Sequence, residues 1–172
     1  MKAVFLMADG FEDLEFFYPY YRLKEQGIET VVATPGAETV VGKNGYEIKG
    51  AVPLEEVGAE GFDMLILPGG KSPEKVRLIP AARQITQDMM NSGRMVASIC
   101  HGAQILISAG VLEGRNATCW RGIADDIMAA GASYRDEPVV VDGNLITSRK
   151  PDDLPMFCRE LFANLQSGVL SS

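Results

Sequence analysis

The chain has 172 residues, 47% of them apolar and 23% charged, and a formal net charge of −7. That length suits one domain, residues 1–172, able to bury a core without disulfide or metal staples. The acidic balance excludes a general phosphate-backbone binder, so no nucleic-acid partner is expected, and no window approaches the roughly 20 apolar residues of a membrane helix.

Three cysteines, Cys100, Cys119 and Cys158, are an odd and widely spaced set that gives no disulfide framework. A single histidine, His101, cannot supply an ordinary zinc site, so no metal is expected. The opening stretch Met1 to Asp9 is too short and too soon acidic for a signal peptide. It reads as a first strand, and the protein as cytoplasmic.

Taken in order, residues 3–8 form a short apolar strand. Asp9 and Glu12 have capping-box spacing and open a helix from Phe11 to about Gln26, stopped by Gly27. Ile28 to Thr34 is a second strand closed by Pro35-Gly36, a βαβ start that implies a parallel sheet covered on both faces. Between Val40 and Ile48, Asn44-Gly45 marks a hairpin, expected at the sheet edge. Asp63 to Leu67 is a buried strand ending in Pro68-Gly69-Gly70, and a helix runs from Pro80 to Ser92.

The apolar run Met95 to Ile99 is another buried strand, and a helix follows Gly102. Asn116 to Cys119 reads as a strand and Ile123 to Ala130 as a helix. Val139 to Thr147 folds over Asp142-Gly143 as a second hairpin, and a last helix runs from Pro151 to near Gln166, with a short polar tail. The fold class is therefore α/β: a three-layer sandwich, flavodoxin-like, with a mostly parallel central sheet, helices on both faces and added β-hairpins.

In such a sheet ligands bind beyond the carboxyl ends of the strands. Three loops leave those ends, Asp9–Glu12, Pro68–Glu74 and Cys100–Gln104, and are expected to converge. Cys100 stands where strand turns to helix, the geometry that exposes a nucleophile, and the helix start favours a thiolate. His101 is a base for Cys100 or a residue at a helix start; its backbone N–H is the safer expectation, as an oxyanion donor.

Glu12 admits two readings, a helix cap or a buried carboxyl of raised pKa that shuttles a proton to Cys100. Gly69 and Gly70 either end a strand or let an N–H approach a substrate oxygen. Glu74 reads as surface, Trp120 as pocket wall or packing, and Cys119 and Cys158 as packing. No Gly-rich phosphate loop is present.

Ala97-Ser98-Ile99-Cys100-His101-Gly102, with Phe11-Glu12-Asp13 upstream and Leu67-Pro68-Gly69-Gly70 between, resembles the PfpI family of intracellular peptidases. That family lies within the superfamily of the Parkinsonism-associated deglycase, with a class I glutamine amidotransferase-like fold. The resemblance spans the first strand to the last helix. It implies Cys100 as nucleophile with His101 beside it, Glu12 as the carboxyl on the cysteine, and Gly70 with the His101 N–H as oxyanion hole. It also implies that Glu74 reaches His101 from a neighbouring subunit of a homo-oligomer, dimer to hexamer. Where the family usually has proline after Cys-His-Gly this chain has Ala103, which should loosen the turn slightly without removing a reactive group.

The function expected is a cofactor-free cysteine hydrolase, an intracellular protease or amidase acting on peptides. An alternative uses the same nucleophile as a glyoxalase or protein deglycase, on methylglyoxal or its adducts. A third is non-enzymatic: Cys100 as an oxidative-stress sensor or chaperone residue.

Overall fold

The computed structural model describes residues 1–36 and 38–169. Its centre is a seven-stranded sheet built from β1 (Lys2–Leu6), β2 (Glu29–Thr34), β5 (Val52–Pro53), β6 (Met64–Leu67), β7 (Met95–Ile99), β10 (Val139–Asp142) and β11 (Leu145–Ser148). The order is β10-β11-β7-β6-β1-β2-β5, with every pairing parallel except the β10–β11 hairpin. Strands β6 and β7 are buried throughout, which is why they read as unbroken apolar runs rather than alternating ones.

Side-chain alternation divides the core into two layers. Ala3 and Phe5 of β1, with Ile66 and Ala97, face Phe16 and Leu23 of α1 (Asp13–Glu25) and Phe157 and Leu161 of α6 (Leu154–Val169). Val4 and Leu6, with Leu65 and Val96, face the other layer: α2 (Ser72–Val76), α3 (Pro80–Asn91), α4 (Ala103–Ala109) and α5 (Ala124–Ala129). The three-layer sandwich expected from the sequence is the fold observed.

Several local expectations are corrected. The first helix starts at Asp13, not Phe11, because Glu12 itself is the cap: its Oε2 accepts the Glu15 N–H at 3.0 Å. Asp9 is no part of a capping box; its carboxylate accepts the Val41 N–H at 2.9 Å and ties the first loop to the hairpin. That hairpin, β3 (Thr39–Val41) with β4 (Glu47–Lys49), forms its own two-stranded sheet, and β5 takes the edge of the main one.

The loop after Gly70 contains the short helix α2, which its polar composition did not announce. The strand expected at Asn116–Cys119 shortens to β8 (Asn116–Ala117), paired with β9 (Ser133–Tyr134) outside the main sheet. The last helix runs to Val169, past Gln166, and the end of the expected tail, residues 170–172, lies outside the described residues.

Candidate active site

The switch in strand order falls between the parallel neighbours β1 and β6, from which the chain winds toward opposite edges of the sheet. The three expected loops meet there. Lys71 N donates to Gly10 O at 2.8 Å and Glu12 N to Gly69 O at 3.1 Å, a short antiparallel bridge between the first and second loops. The third loop closes on it through Gly102, whose bare α-carbon leaves room for the Leu67 carbonyl; any side chain there would collide with that backbone oxygen.

At the end of β7, Cys100 has φ +59°, the one non-glycine residue with positive φ among those described. Left-handed backbone costs an L-residue about 1–2 kcal/mol, and such strain gathers at functional sites. It turns the strand sharply into a 3₁₀ turn, Cys100–Gly102, before α4. The sharp turn also brings adjacent side chains together: Cys100 Sγ lies 3.3 Å from His101 Nδ1. Ordinary backbone would have separated them.

The carboxyl on the cysteine is Glu15, not Glu12. On α1 the buried residues Glu15, Pro19 and Leu23 recur every four positions, so Glu15 belongs to the stripe that faces the sheet. It is fully buried, and its Oε2 accepts the Gly69 N–H at 2.8 Å. A β-carbon placed on Gly69 would stand 2.6 Å from Glu15 Oε2 and 3.0 Å from both Cys100 Cβ and His101 N, so carboxyl, nucleophile and backbone donor surround one point. Only glycine fits there. Glu12, which the sequence offered for this role, spends its carboxylate on capping α1 one turn earlier.

Burial raises the Glu15 carboxyl to about 8, against the Gly69 N–H that favours its charged form, with the nearby Glu12 pushing the same way as burial. At neutral pH it is therefore mostly the neutral acid, a donor. Burial and then the charge of Glu15 push the Cys100 thiol up, while the His101 backbone N–H pulls it down. The thiolate that a helix start alone would favour is thus not the resting form: α4 has only seven residues, and burial outweighs its dipole. The charge of Glu15 raises the thiol only when ionised. Held neutral, the same group becomes a hydrogen-bond donor to a forming thiolate.

His101 is half-buried, and burial lowers its imidazole, opposed by the carboxylate of Glu74. Its Nδ1 faces the thiol sulfur of Cys100. Glu74 itself is exposed in the first turn of α2 and makes no hydrogen bond to His101 within this chain among the described residues. Gly70, at φ +79°, packs its α-carbon against the backbone of Gly10 to Glu12, and the bridge there uses the N–H groups of Glu12 and Lys71 rather than its own. Ala103 is buried and begins α4 in regular helical geometry without a proline. Trp120 lies over His101, and Cys119 and Cys158 are buried apart from the site, as packing residues. No group of His, Cys, Asp and Glu among the described residues could hold a metal, and no helix among them is long and apolar enough to cross a membrane.

Residues 1–164 match the model of the DJ-1/PfpI family. The chain is 50% identical over 160 residues to a protein named Deglycase PfpI in Pyrococcus furiosus, covering 93% of this chain and 96% of the relative. It is 43% identical over 162 residues to one named Protein/nucleic acid deglycase 2 in Escherichia coli, covering 92% and 94%. Among solved structures, a two-domain protein of Anabaena variabilis with DJ-1/ThiJ/PfpI-like and ferritin-like domains superposes with a TM-score of 0.93 at 40% identity. That likeness covers 96% of this chain and 48% of the two-domain one. A strained cysteine at a strand end, a glycine-lined backbone cradle and matching relatives along nearly the whole length place this chain in the DJ-1/PfpI family.

Proposed function

We propose that this chain is a cofactor-free cysteine deglycase that removes dicarbonyl adducts from amines and thiols. The observation that carries the reading is the buried Glu15 carboxyl at the Cys100 elbow, with a pKa near the operating pH, where a group can both give and take a proton. The names of the relatives support the same activity.

The reaction follows from the groups present. His101 Nδ1 takes the Sγ–H proton, and Cys100 Sγ bonds to the former aldehyde carbon of a methylglyoxal adduct. The amine leaves with that proton, and the carbon stays on sulfur as a hemithioacetal. The N–H groups of Gly70 and His101 hold the substrate oxygen. Glu15, its proton donated to the neighbouring ketone oxygen, removes the carbon-bound proton, giving an enediol. Protonation of that enediol at the other carbon produces a lactoyl thioester. Water hydrolyses it, releasing lactate and restoring the thiol. The two carbons exchange oxidation levels within one molecule, so no external oxidant or cofactor enters.

The test supplies methylglyoxal-modified N-acetylarginine and N-acetylcysteine and follows lactate. Many lactates per protein are expected from the natural chain and none above background from Cys100→Ser. Release of no more than one equivalent would sink the deglycase reading and favour a sensor. The raised thiol already weighs against a sensor, since oxidation selects exposed thiolates.

A peptidase reading is favoured by the Sγ–Nδ1 contact of 3.3 Å, which needs only an orienting carboxylate on the imidazole to complete a Cys-His-acid set. Glu74 of a neighbouring subunit fills that place in our proposal, making the working form a homo-oligomer. Glu74→Gln is expected to lower peptide cleavage by at least about 10²-fold, the lower end of general-base assistance, while sparing lactate release. A monomer by sedimentation at assay concentration would remove the neighbour from the mechanism.

A further inference from the structure

Cys100 and His101 are adjacent in the chain, and His101 is only half-buried, so its ring needs something beyond the elbow to keep Nδ1 on the sulfur. Its neighbour on the open side is Trp120. The indole and imidazole centroids are 6.2 Å apart with planes inclined by 27°, an offset stack. The backbone of the same tryptophan is tied to the nucleophile: Trp120 N donates to the Cys100 carbonyl at 3.3 Å. One residue thus grips both members of the pair, through its main chain and its ring.

The indole is seated in turn. A β-carbon built on Gly122 would stand 2.9 Å from Trp120 Nε1, closer than real β-carbons come, and 3.1 Å from Cδ1, a tight contact. Gly122 has no positive φ that would demand glycine, so the requirement at this position is space for the indole edge. Trp120 therefore lies with its edge on the Gly122 backbone and its face toward His101, yet it remains 40% exposed at the rim.

We infer that Trp120, seated on Gly122, is a positioning residue that holds the His101 imidazole against the Cys100 sulfur. The inference rests on the reading of Cys100 and His101 as the reactive pair. Stacking restricts the ring's torsion, so Nδ1 stays at 3.3 Å from Sγ instead of turning out to solvent. The charged and titratable groups that act on this imidazole are Cys100 beside it, Glu74 of α2 and Lys43 of the β3–β4 turn. None of these belongs to the element carrying Trp120, so changing the indole leaves them in place.

Because His101 is the sole histidine, its ring protons can be followed without assignment ambiguity in a proton NMR spectrum. The variants are Trp120→Ala, Trp120→Phe and Gly122→Ala, each checked for folding by circular dichroism. In the natural chain the His101 ring protons should be displaced by the indole ring current, and the imidazole should titrate below the ordinary histidine range because it is desolvated.

Trp120→Ala should lose the ring-current displacement and titrate closer to the ordinary value, with kcat for lactate release reduced about tenfold and KM changed less than about twofold. Trp120→Phe should keep a stacked ring and recover most of kcat. Gly122→Ala should show an intermediate displacement, since the indole must move. The NMR arm reads ring placement without turnover, so it can succeed even where the deglycase assay fails. An unchanged His101 spectrum in Trp120→Ala, or a raised KM at constant kcat, would overturn the inference and make Trp120 a substrate wall. Phenylalanine behaving like alanine in both arms would also overturn it.

Discussion

Replacing Cys100 with glycine is expected to abolish turnover, by at least about 10³-fold, and yet to give a more stable protein than replacing it with alanine. At ordinary positions the order is the reverse: glycine is worse than alanine by about 0.5–1 kcal/mol because it loses more backbone freedom on folding. Here φ is +59°, and a left-handed residue bearing a β-carbon costs about 1–2 kcal/mol that glycine avoids. Both variants lose the thiol, so the loss of its packing largely cancels in the comparison. The difference that remains is backbone strain, set against the greater freedom that glycine loses on folding. Glycine should lead alanine by about 1 kcal/mol in urea unfolding, at unchanged m-value.

What holds the strained turn is visible around it. Ile99 is kept in parallel register with Ser148, the Cys100 carbonyl is bonded by Trp120 N, and Gly102 locks onto the Leu67 carbonyl. The rest of the fold therefore carries the cost of presenting the sulfur. Alanine proving as stable as glycine would mean that the elbow stores no strain.

The sandwich, the long buried strands of the main sheet and the convergence of three loops were legible because each rests on local pattern: apolar runs, glycine stops and the period of buried strands, whereas the two-residue strands β5, β8 and β9 carry too little pattern for their limits to be read. The nucleophile was legible for the same reason, since strand-turn-helix is a local transition. The carboxyl was not. Glu12 and Glu15 both lie near the start of one helix, and choosing between them requires knowing which face of the helix meets the sheet. That signal was present in the chain: Glu15 lies four residues before Pro19 and eight before Leu23, in line with buried residues, whereas Glu12 precedes the helix. A charged residue on an apolar stripe is the pattern that could have found it. The raised thiol was out of reach for a different reason, because burial depends on packing between elements and is not written in any one of them. The same holds for Gly122, whose spacing two residues after Trp120 means nothing until the indole is seen resting on it.

Glu15→Gln is expected to remove nearly all lactate release, by about 10²–10⁴-fold, and to change how the protein's stability depends on pH. Glutamine keeps the shape and can still accept the Gly69 N–H, but it cannot exchange a proton at Cys100. The stability effect follows from linkage. In the folded protein the carboxyl is raised from 4.5 to about 8, chiefly by burial. Between those values the native state holds a proton that the unfolded chain has released, so stability falls as pH rises through that window. Below about 4.5 both states are protonated and the group adds no pH dependence. Each unit of pH within the window is worth about 1.4 kcal/mol at most, because one pKa unit corresponds to that free energy. The neutral glutamine has no such dependence. Measured by urea unfolding at pH 5.5 and 7.5, the natural chain should lose roughly 2–3 kcal/mol relative to Glu15→Gln over the two units. The variant should therefore gain on the natural protein as the solution becomes more alkaline, while remaining inactive throughout. Parallel stability profiles for the two proteins would show that Glu15 is ionised in the fold, and the proton it brings to Cys100 would have to come from elsewhere.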